Sequence, residues 1–218
     1  MKFSRTPIHG AVLIEPKVFG DARGFFLETW RESAFAGHGI AEHFVQDNHS
    51  RSVQWTLRGL HFQIRQTQGK LVRVAQGSVF DAMVDLRRSS PTFGKAYGVE
   101  LSDQNHLMLW VPEGIAHGIL VTSPSADFIY KCTDVYSPEH ERTLAWNDAF
   151  AGVQWPLPAG VVQPLVAPTD VVPQFGGLEV TTSSTALQAL TDAVLAVDDY
   201  EWDSTDGLAA RITAIASL

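Results

Sequence analysis

Two histidines stand in segments whose residue types could support acid–base chemistry. His61 follows Arg58 by three residues, and Lys70 comes nine residues later. An imidazole can accept a proton near neutral pH, and cations beside it can gather an anionic substrate. A lone histidine is more often structural, and a solvated polar position is the alternative for each of these residues taken singly. The presence of Arg58 and Lys70 close to His61 in the sequence favours a role for His61 as a general base.

The second histidine, His117, ends the motif Pro-x-Gly-x-x-His, a turn that can deliver a histidine to the mouth of a β-barrel. In metal-binding cupin barrels such a histidine completes a site that begins with a His-x-His pair on an earlier strand. Here the earlier pair reads His61-x-Gln63. A glutamine is a poor substitute for imidazole at zinc, iron or manganese. The sequence therefore predicts no metal site and leaves His61 free to act as a base.

Further candidates surround these two histidines. Tyr130, on a predicted strand, can donate a proton through its phenol or can pack as a core aromatic. Asp170 can orient His61 and raise its basicity, as carboxylate–histidine pairs do. A polar run at 46–52 precedes His61, and Glu141 follows a turn after Tyr130.

The elements that must position these residues are short strands. Between about residues 10 and 165, β-branched and aromatic runs alternate with turn residues at 12–16, 24–30, 70–75, 78–86, 96–101, 107–111 and 126–132. Such a pattern predicts an all-β sandwich or barrel. Asp81 and Asp85 fall on one face of their strand, which indicates either a wet interior or a solvated outer face.

Helical spacing occurs at two places only. One short segment covers 33–39, and a clearer one covers 184–197, where Leu187, Leu190, Val194 and Val197 recur behind serine and threonine caps. The composition changes near residue 178 and carries no cluster of reactive side chains. We therefore expect one domain at 1–177 and a helical extension of unknown role at 178–218.

Composition narrows the class of function. The chain has 218 residues, a formal net charge of −8 and a single cysteine, Cys132. The acidic balance argues against a surface that coats nucleic acid, although a few focused cations can still hold an anionic ligand. No apolar run is long enough for a membrane span. With no intrachain disulfide possible, a reducing cytoplasm is the expected compartment.

Seven motifs, in unbroken order over about residues 5–175, resemble one family. They are EPKVFGDARGFF at 15–26, FVQDNHS at 44–50, LRGLHFQ at 57–63, QGKLVR at 68–73, VDLR with SPTFG at 84–94, PEGIAHG at 112–118, and YK at 130–131 followed by Glu141. Together these motifs are similar to those of the dTDP-4-dehydrorhamnose 3,5-epimerases.

The resemblance implies an all-β, cupin-like jelly roll with short peripheral helices, working as a homodimer without cofactor or metal. It implies that His61 removes a proton from C3 or C5 of a 4-keto sugar, that Asp170 pairs with His61, that Lys70 stabilises the enolate, and that Tyr130 reprotonates the opposite face. The substrate-binding positions that it implies are Arg23, Phe26, Glu28, Gln46, Asn48, Arg58, His117 and Glu141. The expected partner is a dTDP-4-keto-6-deoxyhexose.

One departure from the family pattern lies beside Asp170. The family usually has a lysine or arginine before this aspartate, whereas Thr169 stands here, which puts one sugar or phosphate contact in doubt. Three alternatives stay open: an epimerase that inverts C3 only, a metal-dependent cupin enzyme, and a sugar-binding module without activity. The last would have lost part of the set His61, Lys70 and Tyr130, and all three are present.

Overall fold

Two antiparallel sheets dominate the computed structural model, which describes residues 1–149, 151–161, 163–167, 174–175 and 178–179. The first sheet has six strands, in the order β1 (Lys2–Arg5), β2 (Val12–Glu15), β10 (Met108–Val111), β7 (Lys70–Gln76), β12 (Ser125–Cys132) and β5 (Gln46–Val53). The second has five, in the order β13 (Glu141–Thr143), β6 (Leu57–Gln63), β11 (Ile115–Val121), β8 (Ser78–Asp85) and β9 (Ala96–Ser102). Two separate ribbons pair β3 (Val18–Asp21) with β4 (Gly24–Leu27) and β14 (Gln174–Phe175) with β15 (Leu178–Glu179).

The core lies between the two sheets because alternate residues of each strand point inward. Val72 and Val74 of β7 pack in one buried cluster with Met83 of β8 and with Ile115 and Ile119 of β11. Burying such a side chain stabilises the fold by roughly 1.5–3 kcal/mol. This packing holds the two sheets face to face.

The outer faces of both sheets are also covered. Helix α1 (Glu32–Ala36) places Phe35 against Leu71 and Trp110, on the outside of the first sheet. On the second sheet, Leu144 and Trp155 belong to the layer that covers the outward side chains of β6, β8 and β11. Central strands buried on two faces are apolar at nearly every position, as β10 is.

The all-β prediction with few helices is confirmed, and each of the seven predicted strands overlaps an observed one. The early helix is confirmed at Glu32–Ala36. His117, predicted at the end of a turn, lies inside β11 instead. The helix predicted at 184–197 lies outside the described residues, so the division at 177/178 stays a prediction. Within the described part of the chain, no helix has the length and apolar character needed to cross a membrane.

Strands β6 and β11 approach each other closely at Gly59 and Gly118. A Cβ atom added to Gly59 would lie 2.6 Å from the Cα of Gly118, and one added to Gly118 would lie 2.7 Å from the carbonyl oxygen of Arg58. The pairing of the two strands shifts register at this point, between His117 and Ile119. Residues three apart on a regular strand face opposite sides, so the irregularity allows Arg58 and His61 to face the same side.

Candidate active site

A cavity of about 450 Å³ opens between the two sheets. Strands β5, β7 and β12 form one wall, and β6 and β11 form the other. Eight of the residues that the sequence singled out line it: Gln46, Asn48, Arg58, His61, Lys70, His117, Tyr130 and Glu141. Residues separated by up to 95 positions in the chain therefore share one space.

The two histidines lie side by side on paired strands of the same wall. His61 of β6 is the direct partner of His117 of β11, and Thr143 of β13 lies on the other side of His61. Arg58 enters the same wall and donates from Nε to the Ser52 hydroxyl over 2.9 Å. The wall thus combines an imidazole that can accept a proton with a guanidinium that can bind an anion.

Lys70 and Tyr130 occupy the opposite wall. Lys70 is on the inward side of β7, together with Val72 and Val74, and burial lowers the pKa of its ammonium group. The nearby Cys132, Glu141 and Asp81 oppose that effect. Burial raises the pKa of the Tyr130 phenol, which keeps the phenol protonated and able to donate. A cation and a weak acid therefore stand opposite the histidine wall.

A chain of hydrogen bonds fixes the rim of the cavity. The Tyr136 hydroxyl donates to the Glu141 carboxylate over 2.8 Å, and its backbone N–H donates to the side-chain oxygen of Gln46 over 2.8 Å. The Gln46 amide then donates to Asn48, which in turn donates to the buried thiol of Cys132. The bond to Glu141 raises the pKa of Tyr136 to about 12. Tyr136 was not among the residues predicted from the sequence.

A second residue absent from the predicted site lies behind His117. Asp81, on the inward side of β8, has no exposed surface, and both of its carboxylate oxygens lie 2.9 and 3.0 Å from Nε2 of His117. Burial raises the pKa of Asp81, while His117 and Lys70 lower it. The solvated-face interpretation of Asp81 and Asp85 is wrong, because both carboxylates are fully buried. The sequence signal that could have indicated their burial was the position of both residues on one face of β8.

Gln63 has no free amide for a ligand. Its nitrogen donates to the carbonyl of Gln66 over 2.6 Å, and its oxygen accepts from the backbone N–H of Ser137 over 2.9 Å. The side chain therefore ties the end of β6 to two neighbouring loops. Among the described residues, no three histidine, cysteine or acidic side chains cluster as metal ligands.

Three predicted substrate-binding residues lie away from this cavity. Arg23 and Phe26 belong to the β3–β4 ribbon, where Arg23 pairs with Asp21 at 2.6 Å and Phe26 is 70% exposed. Glu28 follows the ribbon and pairs with Arg31 at 3.2 Å. Within the single chain, the structure does not bring these three residues to the other eight.

Asp170 lies outside the described residues, so its predicted contact with His61 is not observed. The chain approaches the cavity just before it, because Ala167 lines the cavity. Leu165 is anchored by backbone hydrogen bonds to Trp55 and Leu57, next to the start of β6. Asp170 is three positions beyond Ala167 in the chain, and three residues can span at most about 11 Å.

Comparison with known proteins adds to this geometry. Residues 5–175 match the family model described as dTDP-4-dehydrorhamnose 3,5-epimerase. The chain belongs to the dTDP-4-dehydrorhamnose 3,5-epimerase family. A relative of that name from Pseudomonas aeruginosa is 54% identical over 160 residues, which are 72% of this chain and 87% of the relative.

Solved structures agree with the membership in this epimerase family. A dTDP-6-deoxy-D-glucose-3,5-epimerase from Legionella pneumophila, solved with dTDP-4-keto-L-rhamnose, is 48% identical with a TM-score of 0.74, covering 78% of this chain and 89% of that one. A 3′-monoepimerase from Streptomyces bikiniensis, solved with dTDP-quinovose, is 28% identical with a TM-score of 0.69, covering 76% and 83%. The family match includes all twelve predicted site residues, Asp170 among them, and ends before residue 176.

Proposed function

We propose that this protein inverts C3 and C5 of a dTDP-4-keto-6-deoxyhexose, in the biosynthesis of a dTDP-rhamnose-type deoxysugar. The observation that carries the proposal is the shared cavity, in which His61 faces a wall that holds Lys70 and Tyr130. This set contains a base, a cation and a second proton donor. Family membership and the relatives' names support the same substrate class.

The first half of the reaction uses His61 and Lys70. His61 takes the proton from the carbon next to the C4 ketone, and the electrons of the broken C–H bond move onto the ketone oxygen as an enolate. Such a proton is acidic only when that developing charge is stabilised, which the Lys70 ammonium does. Asp170, a few residues beyond the cavity-lining Ala167, pairs with His61 and raises its basicity.

The second half delivers a proton to the other face. The Tyr130 phenol donates to the enolate carbon, and the ketone re-forms with inverted configuration. The deprotonated phenol and protonated imidazole then exchange protons with water, so the enzyme returns to its starting state. No electron leaves or enters, and the reaction as proposed uses neither a metal nor a cofactor.

The remaining cavity residues hold the nucleotide sugar. A diphosphate needs guanidinium or ammonium partners, and the guanidinium of Arg58 stands on the same wall as His61, with the imidazole of His117 beside it. Gln46 and Asn48 present amides from β5, and Glu141 presents a carboxylate from β13. The amides and the carboxylate suit the hydroxyls of the sugar and the groups of the base.

We further propose a homodimeric jelly roll in which the partner copy completes the site. The β3–β4 ribbon exposes Phe19, Phe25 and Phe26, and Phe25 and Phe26 are 63% and 70% exposed. Exposed apolar clusters of this kind usually mark an interface. Packed against a second copy of the chain, the ribbon would place Arg23, Phe26 and Glu28 at the cavity of that copy. The two facing antiparallel sheets support the jelly-roll assignment, and the buried free thiol of Cys132 suits a reducing cytoplasm.

The decisive experiment is incubation with dTDP-4-keto-6-deoxyglucose in deuterated water, followed by NMR of the product. We expect deuterium at C3 and C5 and inversion at both centres. His61→Asn is the matched control, since it keeps the cavity polar but removes the base. An absence of label at either carbon with wild-type protein would refute the proposal.

A second candidate, inversion at C3 only, is favoured by the likeness to the 3′-monoepimerase from Streptomyces bikiniensis. Both candidates use the same base and the same cation. The same labelling experiment separates them, because a 3-epimerase incorporates deuterium at C3 and never at C5.

A further inference from the structure

The buried carboxylate of Asp81 lies on the inner face beside the cavity, and the proposed reaction leaves it unused. Asp81 points inward from β8, between the apolar core residues Val79 and Met83. A carboxylate with no exposed surface is costly unless its charge is matched. Its position therefore indicates a function beyond packing.

The partner of Asp81 is a single ring nitrogen. Nε2 of His117 lies 2.9 and 3.0 Å from the two carboxylate oxygens. An ionised carboxylate only accepts hydrogen bonds, so in the state in which Asp81 carries its charge beside Lys70, Nε2 of His117 is the donor. Nδ1 makes no hydrogen bond with any residue that the structure describes, and His117 lines the cavity, so Nδ1 is the nitrogen left for a ligand.

The same carboxylate acts on the opposite wall. Asp81 is one of three groups, with Cys132 and Glu141, whose charge favours the protonated form of Lys70. Burial raises the pKa of the Tyr97 phenol on β9, and the charge of Asp81 raises it further. The titratable groups that interact with Asp81 are Lys70 from β7, Tyr97 from β9 and His117 from β11. Those that interact with Lys70 are Asp81, Cys132 from β12 and Glu141 from β13.

We propose that Asp81 is a positioning residue of the epimerase site, which fixes the ring of His117 with Nδ1 toward the substrate and balances the charge of Lys70. The inference rests on the proposed function for its kinetic consequences. Its structural half, the protonation of Nε2 of His117, stands without that function.

The structural half is tested on the wild-type protein. Histidine ring ¹⁵N–¹H correlation spectra at pH 7, with His117 assigned by its loss in His117→Gln, report which ring nitrogen carries the proton. We expect a proton on Nε2 of His117. A neutral ring protonated only at Nδ1 would overturn the proposal, because Asp81 would then be the donor and not the acceptor.

The kinetic half uses Asp81→Asn, which keeps the shape and removes the charge. We expect a fall in kcat of roughly 10- to 100-fold, the size of a lost hydrogen bond to a charged group. Without Asp81, the pKa of Lys70 falls further, so the alkaline limb of the kcat profile should move to lower pH by about one unit. If Asp81 only stabilised the fold, its replacement would not shift the alkaline limb of the kcat profile.

The matched control is Asp85→Asn, four residues along the same strand. Asp85 is equally buried, but its partners are Arg87, Ser90 and Thr92, away from the cavity. We expect this variant to melt at lower temperature with an unshifted pH profile. An unshifted profile in Asp81→Asn as well would overturn the proposal, provided that the wild type is active. An inactive wild type would instead overturn the proposed function and leave the NMR result to decide the role of Asp81.

Discussion

Replacing Tyr130 by phenylalanine separates the two halves of the proposed reaction. The side chain lies on β12 between Val72 of β7 and Asn48 of β5, and its ring packs 5.7 Å from that of Phe128. Tyr130→Phe keeps this packing and deletes only the hydroxyl. Proton removal by His61 should therefore continue, while delivery of a proton to the other face should fail.

The size of the effect follows from the role of the group. A positioned general acid contributes about 10²- to 10⁴-fold, which is about 2.7–5.4 kcal/mol of transition-state stabilisation. We expect inversion to slow by at least about 100-fold. Deuterium uptake at the carbon next to the ketone, with retained configuration, should stay within about tenfold of wild type, because the base and the enolate-stabilising cation are intact.

The assay measures both quantities in one sample, by NMR of the sugar in deuterated water. Tyr136→Phe is the matched control, because Tyr136 lines the same cavity and its hydroxyl donates to Glu141. Its loss should weaken substrate binding without separating exchange from inversion. If exchange and inversion fall together in Tyr130→Phe, the phenol acts in binding or in the first step. If neither falls, Tyr130 is a packing residue and the proposed donor is wrong.

Four further outcomes are expected. His61→Asn should lose at least about 100-fold in kcat with an unchanged circular dichroism spectrum, and near-normal turnover would remove His61 from the mechanism. Lys70→Ala should lower kcat by about 10²- to 10³-fold with little change in KM, whereas a change in KM alone would make Lys70 a phosphate ligand. Activity should survive EDTA, because the Gln63 amide is already hydrogen-bonded within the protein, and activity restored only by an added divalent ion would contradict this. Burial raises the pKa of Asp85, but hydrogen bonds from Arg87 and two hydroxyls together lower it below its ordinary value. The ionised Asp85 therefore stabilises the fold above about pH 4, and this contribution is lost as the pH falls through the folded-state pKa. Urea titrations should show Asp85→Asn less stable by about 3 kcal/mol at pH 7, with a smaller difference at pH 3.

Much of the fold and of the site could be predicted because strands with an apolar inner face have a simple pattern. The runs around Val72 and Met83 alternate with turns, and this pattern predicted the observed sheets. Strand β5 was harder, since its inward residues are polar where they line the cavity and its outward residues face solvent. A strand that is polar on both faces has no hydrophobic period to detect.

What the sequence could not provide was contact between distant residues. Asp81 and His117 are 36 positions apart, and only the pairing of β8 with β11 brings them together. The ribbon that carries Arg23 and Phe26 matches the family motif, yet motif matching cannot tell which copy of the chain a residue serves. These relations depend on topology and assembly, which local patterns do not encode.

The close approach of Gly59 and Gly118 restricts how the substrate range of this enzyme can evolve. Neither position can gain even a methyl group unless the facing strand moves, so no single substitution at these two glycines can reshape that wall. The opposite wall carries Ser50 and Phe128, whose side chains can be exchanged one at a time. Selection for a larger or differently substituted sugar should therefore accumulate changes on β5 and β12 while Gly59 and Gly118 are retained.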